Sequence, residues 1–451
     1  MADFVVTPSS SPLRGSVPLP SDKSIGHRAF LLAGLARGES IVRVRHPGED
    51  VLATLAAMRA LGAVAEERGD AHHVVGRGLD GLHAPAGPID CGNSGTTMRL
   101  LAGMLAGQRF ATTLIGDASL SSRPMDRVAR PLRMRGARIE GQVDPRRVGE
   151  ITAPLVVGPL PSPHLLSQVE VDLPIPSAQV KSALLLSGLW SDGPTLVREP
   201  LVSRDHTERM LAAIGVPVSR VGAVVALDVS RFSGELTPFT IDVPGDPSAA
   251  AFILAAACAV RGSEVTARGV GLNTTRTGFF DVLRAMGADI RIAVEGDALG
   301  EPFGMVSLVQ QDLTATTLAS ETTLRAIDEV PIACVVAAFA RGATTIADAA
   351  ELRVKESDRL TAMTNVLRAF GVAVEERKDG LVVQGRGDDT LSAVDVDSGG
   401  DHRIAMSAAV LALRAAGPCR IRDVACISTS FPRFAGTLRA LGADVRVVDD
   451  D

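Results

Sequence analysis

Tyrosine is missing from this 451-residue chain, tryptophan occurs once, and aromatic side chains make up only 3% of the total. The core must therefore be aliphatic, and single-strand nucleic-acid binding, which stacks bases on exposed rings, is disfavoured. Basic residues are not in excess either. The formal net charge is −6, whereas a nucleic-acid or membrane-surface partner usually needs a clustered positive surplus. No membrane span is expected, because a span needs about 18 or more apolar residues in a row. The longest apolar stretch, around Ala249 to Val260, is bounded by polar residues or glycine and reads as a core helix. Cysteine is sparse. Cys91, Cys258, Cys334, Cys419 and Cys426 have no metal-ligand spacing, so they are expected to be inert packing thiols in a reducing cytoplasm. The opening MADFVVTPSSSPLRG lacks a basic segment followed by an apolar stretch, and no secretory signal is expected. Nor is there a phosphate-binding G-x-x-x-x-G-K-[ST], a dinucleotide G-x-G-x-x-G, a nucleophilic G-x-S-x-G or a Cys/His pair. The chemistry is expected to need no cofactor, no metal and no covalent catalyst.

What is present is a pattern written six times. An Ala/Leu-rich helix opens after polar or charged residues and stops at a glycine: Gly38, Gly107, Gly193, Gly262, Gly342 and Gly417. About 25 residues later an amphipathic helix turns into a strand at Gly62, Gly136, Gly215, Gly287, Gly371 or Gly442. The period of roughly 70 to 85 residues is too long for a solenoid, so each repeat is expected to be a small α/β module, three to a domain. The first helix of each module is apolar nearly all round and should be buried; the second has an apolar stripe and should cover the outside. Ser21, Asn93, Ser177, Asp246, Asp328 and Asp401 stand where helix caps belong. Parallel buried helices would gather their N-termini at one end, presenting free N–H groups and a positive dipole field that suit an anion.

The cations concentrate at these starts: Lys23, Arg28, Arg99, Arg123, Lys181, Arg204, Lys355, Arg359 and Arg403. An acidic protein with that arrangement is suited to a small polyanion. SDKSIGHR offers Lys23, Ser24 and Arg28 to a phosphate or carboxylate. GNSGTTMR allows close approach to the backbone, and its Arg99, one turn into an apolar helix, requires a partner. In GDASLSSRPM, Pro124 should begin the next helix with Arg123 just before it, although an exposed arginine would fit equally well. SAQVKSA supplies Ser177 and Gln179 as neutral hydrogen-bonding groups, and SRDHTERM supplies Arg204, with Asp205 as a possible cap. IDEVPI and LRVKESDRL interleave carboxylates with cations, which in isolation describes solvated caps. Two such segments in one module point to proton transfer, with Asp328 and Glu356 in separate environments that set different pKa values. DHRIAM adds His402 and Arg403 at the anion end.

The ordered series PSDKSIGHR, GNSGTTMR, GDASLSSRPM, SAQVKSA, SRDHTE, IDEVPI, VKESDR, DHRIAM and STSFP resembles the 5-enolpyruvylshikimate-3-phosphate synthase family over essentially the full length. The resemblance implies a two-domain inverse α/β barrel of six βαβαββ units. Residues 1–20 with 242–451 would form one domain and 21–241 the other, with the active site in the cleft between them. It implies transfer of the enolpyruvyl group of phosphoenolpyruvate to the 5-hydroxyl of shikimate 3-phosphate, releasing phosphate, in the shikimate pathway that glyphosate inhibits. Shikimate 3-phosphate would be held by Lys23, Ser24, Arg28, Ser177, Ala178, Gln179, Arg204, Asp328 and Lys355. Phosphoenolpyruvate would meet Lys23, Asn93, Gly95, Arg123, Gln179, Arg359 and Arg403. Glu356 would protonate phosphoenolpyruvate, Asp328 would take the hydroxyl proton, and Lys23 and His402 would assist phosphate departure. The partners would be these two small molecules, with no nucleic acid and no membrane, and the enzyme a cytoplasmic monomer.

Three positions depart from the common family pattern: Ala178, where many members have serine; His206, where many have tyrosine; and Thr429, where many have a lysine. The SAQVK and RDHTE wording is similar to the glyphosate-tolerant branch, whereas Gly95 is the residue of the sensitive one. UDP-N-acetylglucosamine enolpyruvyl transferase shares the fold but uses a loop cysteine, and none lies between Cys91 and Cys258. An RNA 3′-phosphate cyclase-like protein is disfavoured by the charge, the few aromatics and the lack of an adenylation histidine motif.

Overall fold

The first four N–H groups of a helix have no partner inside it, so a helix buried along its length must find caps in its own flanking residues. A computed structural model describes residues 2–144 and 147–449 and contains the six expected buried helices. They are Lys23–Leu35, Gly95–Leu105, Ala178–Gly188, Pro247–Ala259, Val330–Phe339 and His402–Ala412. Every residue of Pro247–Ala259 and Val330–Phe339 is buried. Burial pushes the thiols of Cys258 and Cys334 up to about 12, so they stay protonated and pack as small apolar groups.

Ser177, Asp246 and Asp401 cap their helices as the spacing predicts. In the first two helices the cap falls one residue later, on Asp22 and Ser94. Ser21 instead accepts from the Arg45 N–H at 2.9 Å and donates to the Val243 carbonyl at 3.0 Å. Asp328 lies in a 3-10 turn, Ile327–Glu329, ahead of its helix and does not cap it. Gly38 and Gly342 do not stop helices either: both sit in the strand that follows, Arg37–Arg43 and Arg341–Ile346.

The second helices end as their sequences require. Gly62, Gly136, Gly215, Gly287, Gly371 and Gly442 all have positive φ, from +80° to +105°. That conformation is open to glycine and closes the helix by satisfying its last carbonyls. Arg135, at the C-terminal end of helix Asp126–Met134, points inward. It is fully buried, donating to the carbonyls of Leu184 (3.1 Å) and Ser167 (3.2 Å) and the hydroxyls of Ser187 (2.7 Å) and Thr195 (3.1 Å). Burial lowers its pKa to about 10.

Six four-stranded sheets accompany the helix pairs. In the third module Val169–Asp172 runs parallel to Thr195–Arg198, which is antiparallel to Val224–Leu227, itself antiparallel to Val218–Val221. With Ala178–Gly188 and His206–Ala213 between strands, the order is βαβαββ. The start of the chain completes two other sheets: Ala2–Thr7 pairs with Cys419–Arg422 and Asp444–Asp449, and Arg14–Pro18 with Glu264–Gly271.

The chain divides into two compact units. The first comprises Met1–Pro20, Pro244–Gly296 and Pro302–Asp451; the second comprises Ser21–Val243 with Asp297–Glu301. Each has its own aliphatic core of three modules. The three buried helices of the first unit touch one another. In the second, Gly95–Leu105 and Ala178–Gly188 approach so closely that a Cβ on Gly103 would lie 2.3 Å from the Ala183 carbonyl oxygen. Backbone cannot yield there as a side chain would, so Gly103→Val is expected to destabilise the protein by roughly 1–3 kcal/mol. Urea denaturation measures this; an unchanged midpoint would contradict the close helix contact.

Candidate active site

Each unit gathers polar residues at the starts of its buried helices. In the second unit Lys23, the first residue of its helix, forms an ion pair with Asp50 at 2.8 Å. Arg28, one turn further, is turned inward: it donates to Thr207 Oγ1 at 2.6 Å, Ser182 Oγ at 2.8 Å and the Ser24 carbonyl at 2.9 Å. Burial lowers its guanidinium to about 10 despite Glu208 and Asp22 nearby. Arg28 thereby ties the starts of three helices, Lys23–Leu35, Ala178–Gly188 and His206–Ala213.

Arg99 receives the partner its burial demands. It donates to Gln179 Oε1 at 2.8 Å and to the Pro124 carbonyl at 3.3 Å, while Gln179 Nε2 donates to Thr96 Oγ1 at 3.0 Å. The orientation of the Gln179 amide is thus set from both sides. Arg123 donates to Asn93 Oδ1 at 2.7 Å and Ser119 Oγ at 3.2 Å, and Asn93 donates to Asp117 at 2.7 Å. Pro124 does not open the following helix, which starts at Asp126. Gly95 lies against both arginines: a Cβ there would be 2.8 Å from Arg99 Nη1 and 3.4 Å from Arg123 Nη1.

In the first unit Asp401 is the hub. Its carboxylate caps helix His402–Ala412 by accepting from the Arg403 N–H at 2.9 Å. It also accepts from Arg359 Nε at 2.8 Å and from Ser357 Oγ at 2.9 Å. Burial favours the neutral acid, but Arg359 and the adjacent His402 outweigh it and hold Asp401 below its ordinary value. Burial likewise opposes the charge on Arg359, yet Asp401, Glu356 and Asp328 hold its pKa above the usual guanidinium value. Arg359 Nη2 is 2.7 Å from Glu356, and Nη1 is 3.8 Å from Asp328.

The two carboxylates therefore do not occupy separate environments, as the sequence suggested. They share one guanidinium. What distinguishes them is a direct ion pair for Glu356 and, for Asp328, two looser neighbours, Arg359 and Arg403 at 3.9 Å. Arg403 also donates to the Asp328 backbone carbonyl at 2.7 Å. Beneath lies a buried set in which Ser248 donates to Glu329, and Arg276 donates to Asp246 at 3.1 Å and to Ser248 at 2.9 Å. His402 is buried at the first position of its helix, and Lys355 pairs with Glu351 at 3.1 Å.

Lys23, Ser24, Arg28, Asn93, Gly95, Arg123, Ser177, Ala178, Gln179 and Arg204 thus all belong to the second unit. Asp328, Lys355, Glu356, Arg359, His402 and Arg403 belong to the first. Lys181 leaves the expected anion surface: it is buried between Glu199 (2.7 Å) and Glu208 (2.9 Å). His206 is also internal, with Nδ1 2.8 Å from Glu301. Thr429 turns its hydroxyl to the Cys426 carbonyl at 2.8 Å. Sequence reasoning missed Asp50, Glu199 and Arg276. It saw Asp401 only as a cap, because its partner Arg359 lies 42 residues away.

Partly exposed carboxylates held by buried guanidinium groups can exchange protons beside a bound anion. The family model of EPSP synthase (3-phosphoshikimate 1-carboxyvinyltransferase) matches residues 7–438. The 3-phosphoshikimate 1-carboxyvinyltransferase of Geobacter sp. (strain M21) is 47% identical over 438 residues, covering 97% of this chain and 99% of that protein. The enzyme of that name from Acidithiobacillus ferrooxidans is 46% identical over 443 residues, covering 98% of each. The structure of EPSP synthase from Acinetobacter baumannii superposes with a TM-score of 0.87 at 38% identity, covering both chains fully. The enolpyruvyl transferase NikO from Streptomyces tendae, with a TM-score of 0.76 at 16% identity over 100% of this chain and 99% of that one, is alike in fold.

The Asp401–Arg359 pair generates a stability test. A carboxylate whose folded pKa is depressed stabilises the protein above its unfolded pKa, and loses that contribution as pH falls through the folded value. Asp401→Asn is expected to cost about 3 kcal/mol at neutral pH, because it leaves Arg359 buried without its principal partner. The difference from the parent should stay level above about pH 4 and narrow below it. Denaturation at a series of pH values checks this, and a gap that widened in acid would contradict it.

Proposed function

We propose how these residues divide the work from one premise: the chain belongs to the EPSP synthase (3-phosphoshikimate 1-carboxyvinyltransferase) family. It transfers the enolpyruvyl group of phosphoenolpyruvate to the 5-hydroxyl of shikimate 3-phosphate in the shikimate pathway. In our reading the two residue clusters serve this single reaction. The observation that carries the assignment is Arg359, whose one guanidinium neighbours both Glu356 and Asp328. A cation so placed attracts the phosphoenolpyruvate anion and keeps an acid and a base next to it.

Glu356 gives its proton to the methylene carbon of phosphoenolpyruvate. Asp328 accepts the proton of the 5-hydroxyl as that oxygen bonds to the neighbouring carbon, forming a tetrahedral intermediate. Loss of phosphate, with a proton returned from the new methyl group, restores the double bond. Lys23 and His402 assist the departing phosphate. Arg123, Arg359, Arg403, Lys23, Gln179, Asn93 and the backbone at Gly95 receive phosphoenolpyruvate. Lys23, Ser24, Arg28, Ser177, Ala178, Gln179, Arg204, Asp328 and Lys355 receive shikimate 3-phosphate, Ala178 through its backbone alone. The inward bonds of Arg28 support a role in shaping the site as well as in touching the ligand. A cytoplasmic setting is part of this reading, supported by five unbridged cysteines.

Glu356→Gln is expected to lower turnover by roughly two to four orders of magnitude, the usual range for a positioned acid or base. Steady-state rates measure it; retained turnover with weaker phosphoenolpyruvate binding would make Glu356 a binding residue. Gly95→Ala sets a methyl group against Arg99 and Arg123. Both arginines are held by other bonds, so the crowding should cost a ligand roughly 1–3 kcal/mol. Glyphosate, longer than phosphoenolpyruvate, is expected to lose more. Its inhibition constant should therefore rise further than the phosphoenolpyruvate KM in titrations of both proteins, and an equal rise would show that Gly95 does not discriminate.

A further inference from the structure

The buried ion cluster around Lys181 has no part in the roles assigned above. Lys181, Glu199 and Glu208 have side chains 1%, 2% and 7% exposed. Burying three charged groups is unfavourable unless each is paired and bonded. Their pairing is centred on Glu199, immediately after strand Thr195–Arg198. One oxygen, Oε1, accepts from the Ser177 N–H at 3.0 Å. The other, Oε2, accepts from Lys181 Nζ at 2.7 Å and from the Ser203 N–H at 3.3 Å. Lys181 also donates to the Ser203 carbonyl at 3.4 Å and lies 2.9 Å from Glu208. Burial raises the Glu208 carboxyl above its ordinary value even with Lys181 opposing.

One carboxylate thus fastens two separate backbone segments. Ser177 opens the helix that begins Ser177-Ala178-Gln179, and Ser203 immediately precedes Arg204. Both segments are assigned above to shikimate 3-phosphate, where their hydroxyl, amide and guanidinium donors suit its phosphate group, and the inference rests on that reading. We propose that Glu199 is a positioning residue that sets the spacing between these two arms of the phosphate cradle, and so determines preference for a phosphorylated acceptor. Lys181, 2.7 Å from Oε2, offsets part of the charge that Glu199 brings close to a second anion. A bare carboxylate at this place would repel the phosphate; the ammonium group of Lys181 lessens that penalty. Removing Glu199 leaves two backbone N–H groups without their acceptor and lets the two arms move independently.

The test compares shikimate 3-phosphate with unphosphorylated shikimate as acceptor, at saturating phosphoenolpyruvate, for the parent, Glu199→Gln and Glu199→Ala. Glu199→Ala is expected to lower kcat/KM for shikimate 3-phosphate about tenfold or more, through KM, while the value for shikimate stays within about twofold. Glu199→Gln, which fills the same space and keeps one acceptor oxygen, should fall between parent and Ala. If the alanine variant does not fold, the glutamine variant decides alone. A parent without preference for the phosphorylated acceptor would overturn the assignment of Ser177 and Arg204. A parent with the preference and variants that retain it, or that lose both acceptors equally, would overturn the role of Glu199.

Discussion

A guanidinium taken out of water must be surrounded by acceptors, and the polar architecture of this protein follows from where that condition is met. Arg359 is 2% exposed and lies within 4 Å of three carboxylates, those of Asp401, Glu356 and Asp328. Asp401 cannot serve Arg359 without also capping helix His402–Ala412, because its other oxygen accepts from the Arg403 N–H. The backbone of one helix, the first residue of another and the carboxylates of Glu356 and Asp328 are therefore held by the same few bonds.

The second unit solves the same problem with neutral acceptors. Arg28 and Arg99 donate to hydroxyls, a glutamine and backbone carbonyls. Burial lowers the pKa of Arg28, whereas that of Arg359 is raised by its acids. Two different chemical characters result. A guanidinium bonded to hydroxyls and carbonyls keeps more of its positive field for a bound anion, while one ringed by carboxylates balances charge beside proton-carrying groups. That division suits a reaction in which phosphate recognition and proton transfer are separate tasks.

Arg135 and Lys181 show that a basic residue near a helix is not by itself a ligand site. Arg135 meets the carbonyls near the end of helix Ala178–Gly188, where the helix dipole favours a cation. Lys181, one turn inside the same helix, is enclosed by two glutamates. In sequence Lys181 looks like the cations that face the anion surface, and Arg135 like a solvated charge at the end of an outer helix. Only their neighbours across the fold distinguish them.

The sequence by itself determined the repeat, the burial of its apolar helices and the six glycines that turn the outer helices into strands. Those features depend on spacing within one module: apolar periodicity decides burial, and a positive φ next to a helix end selects glycine. It also assembled most of the candidate site, since the polar residues at helix starts can be read from local order. What only the tertiary structure decided is which of them meet. Lys23 finds Asp50 across 27 positions, Arg359 finds Asp401 across 42, and Arg99 finds Gln179 across 80. No local periodicity carries such pairs. The first arises when the two helices of one module bring their starts together and the other two when separate modules do, and burial then makes each charge choose the nearest partner able to satisfy it.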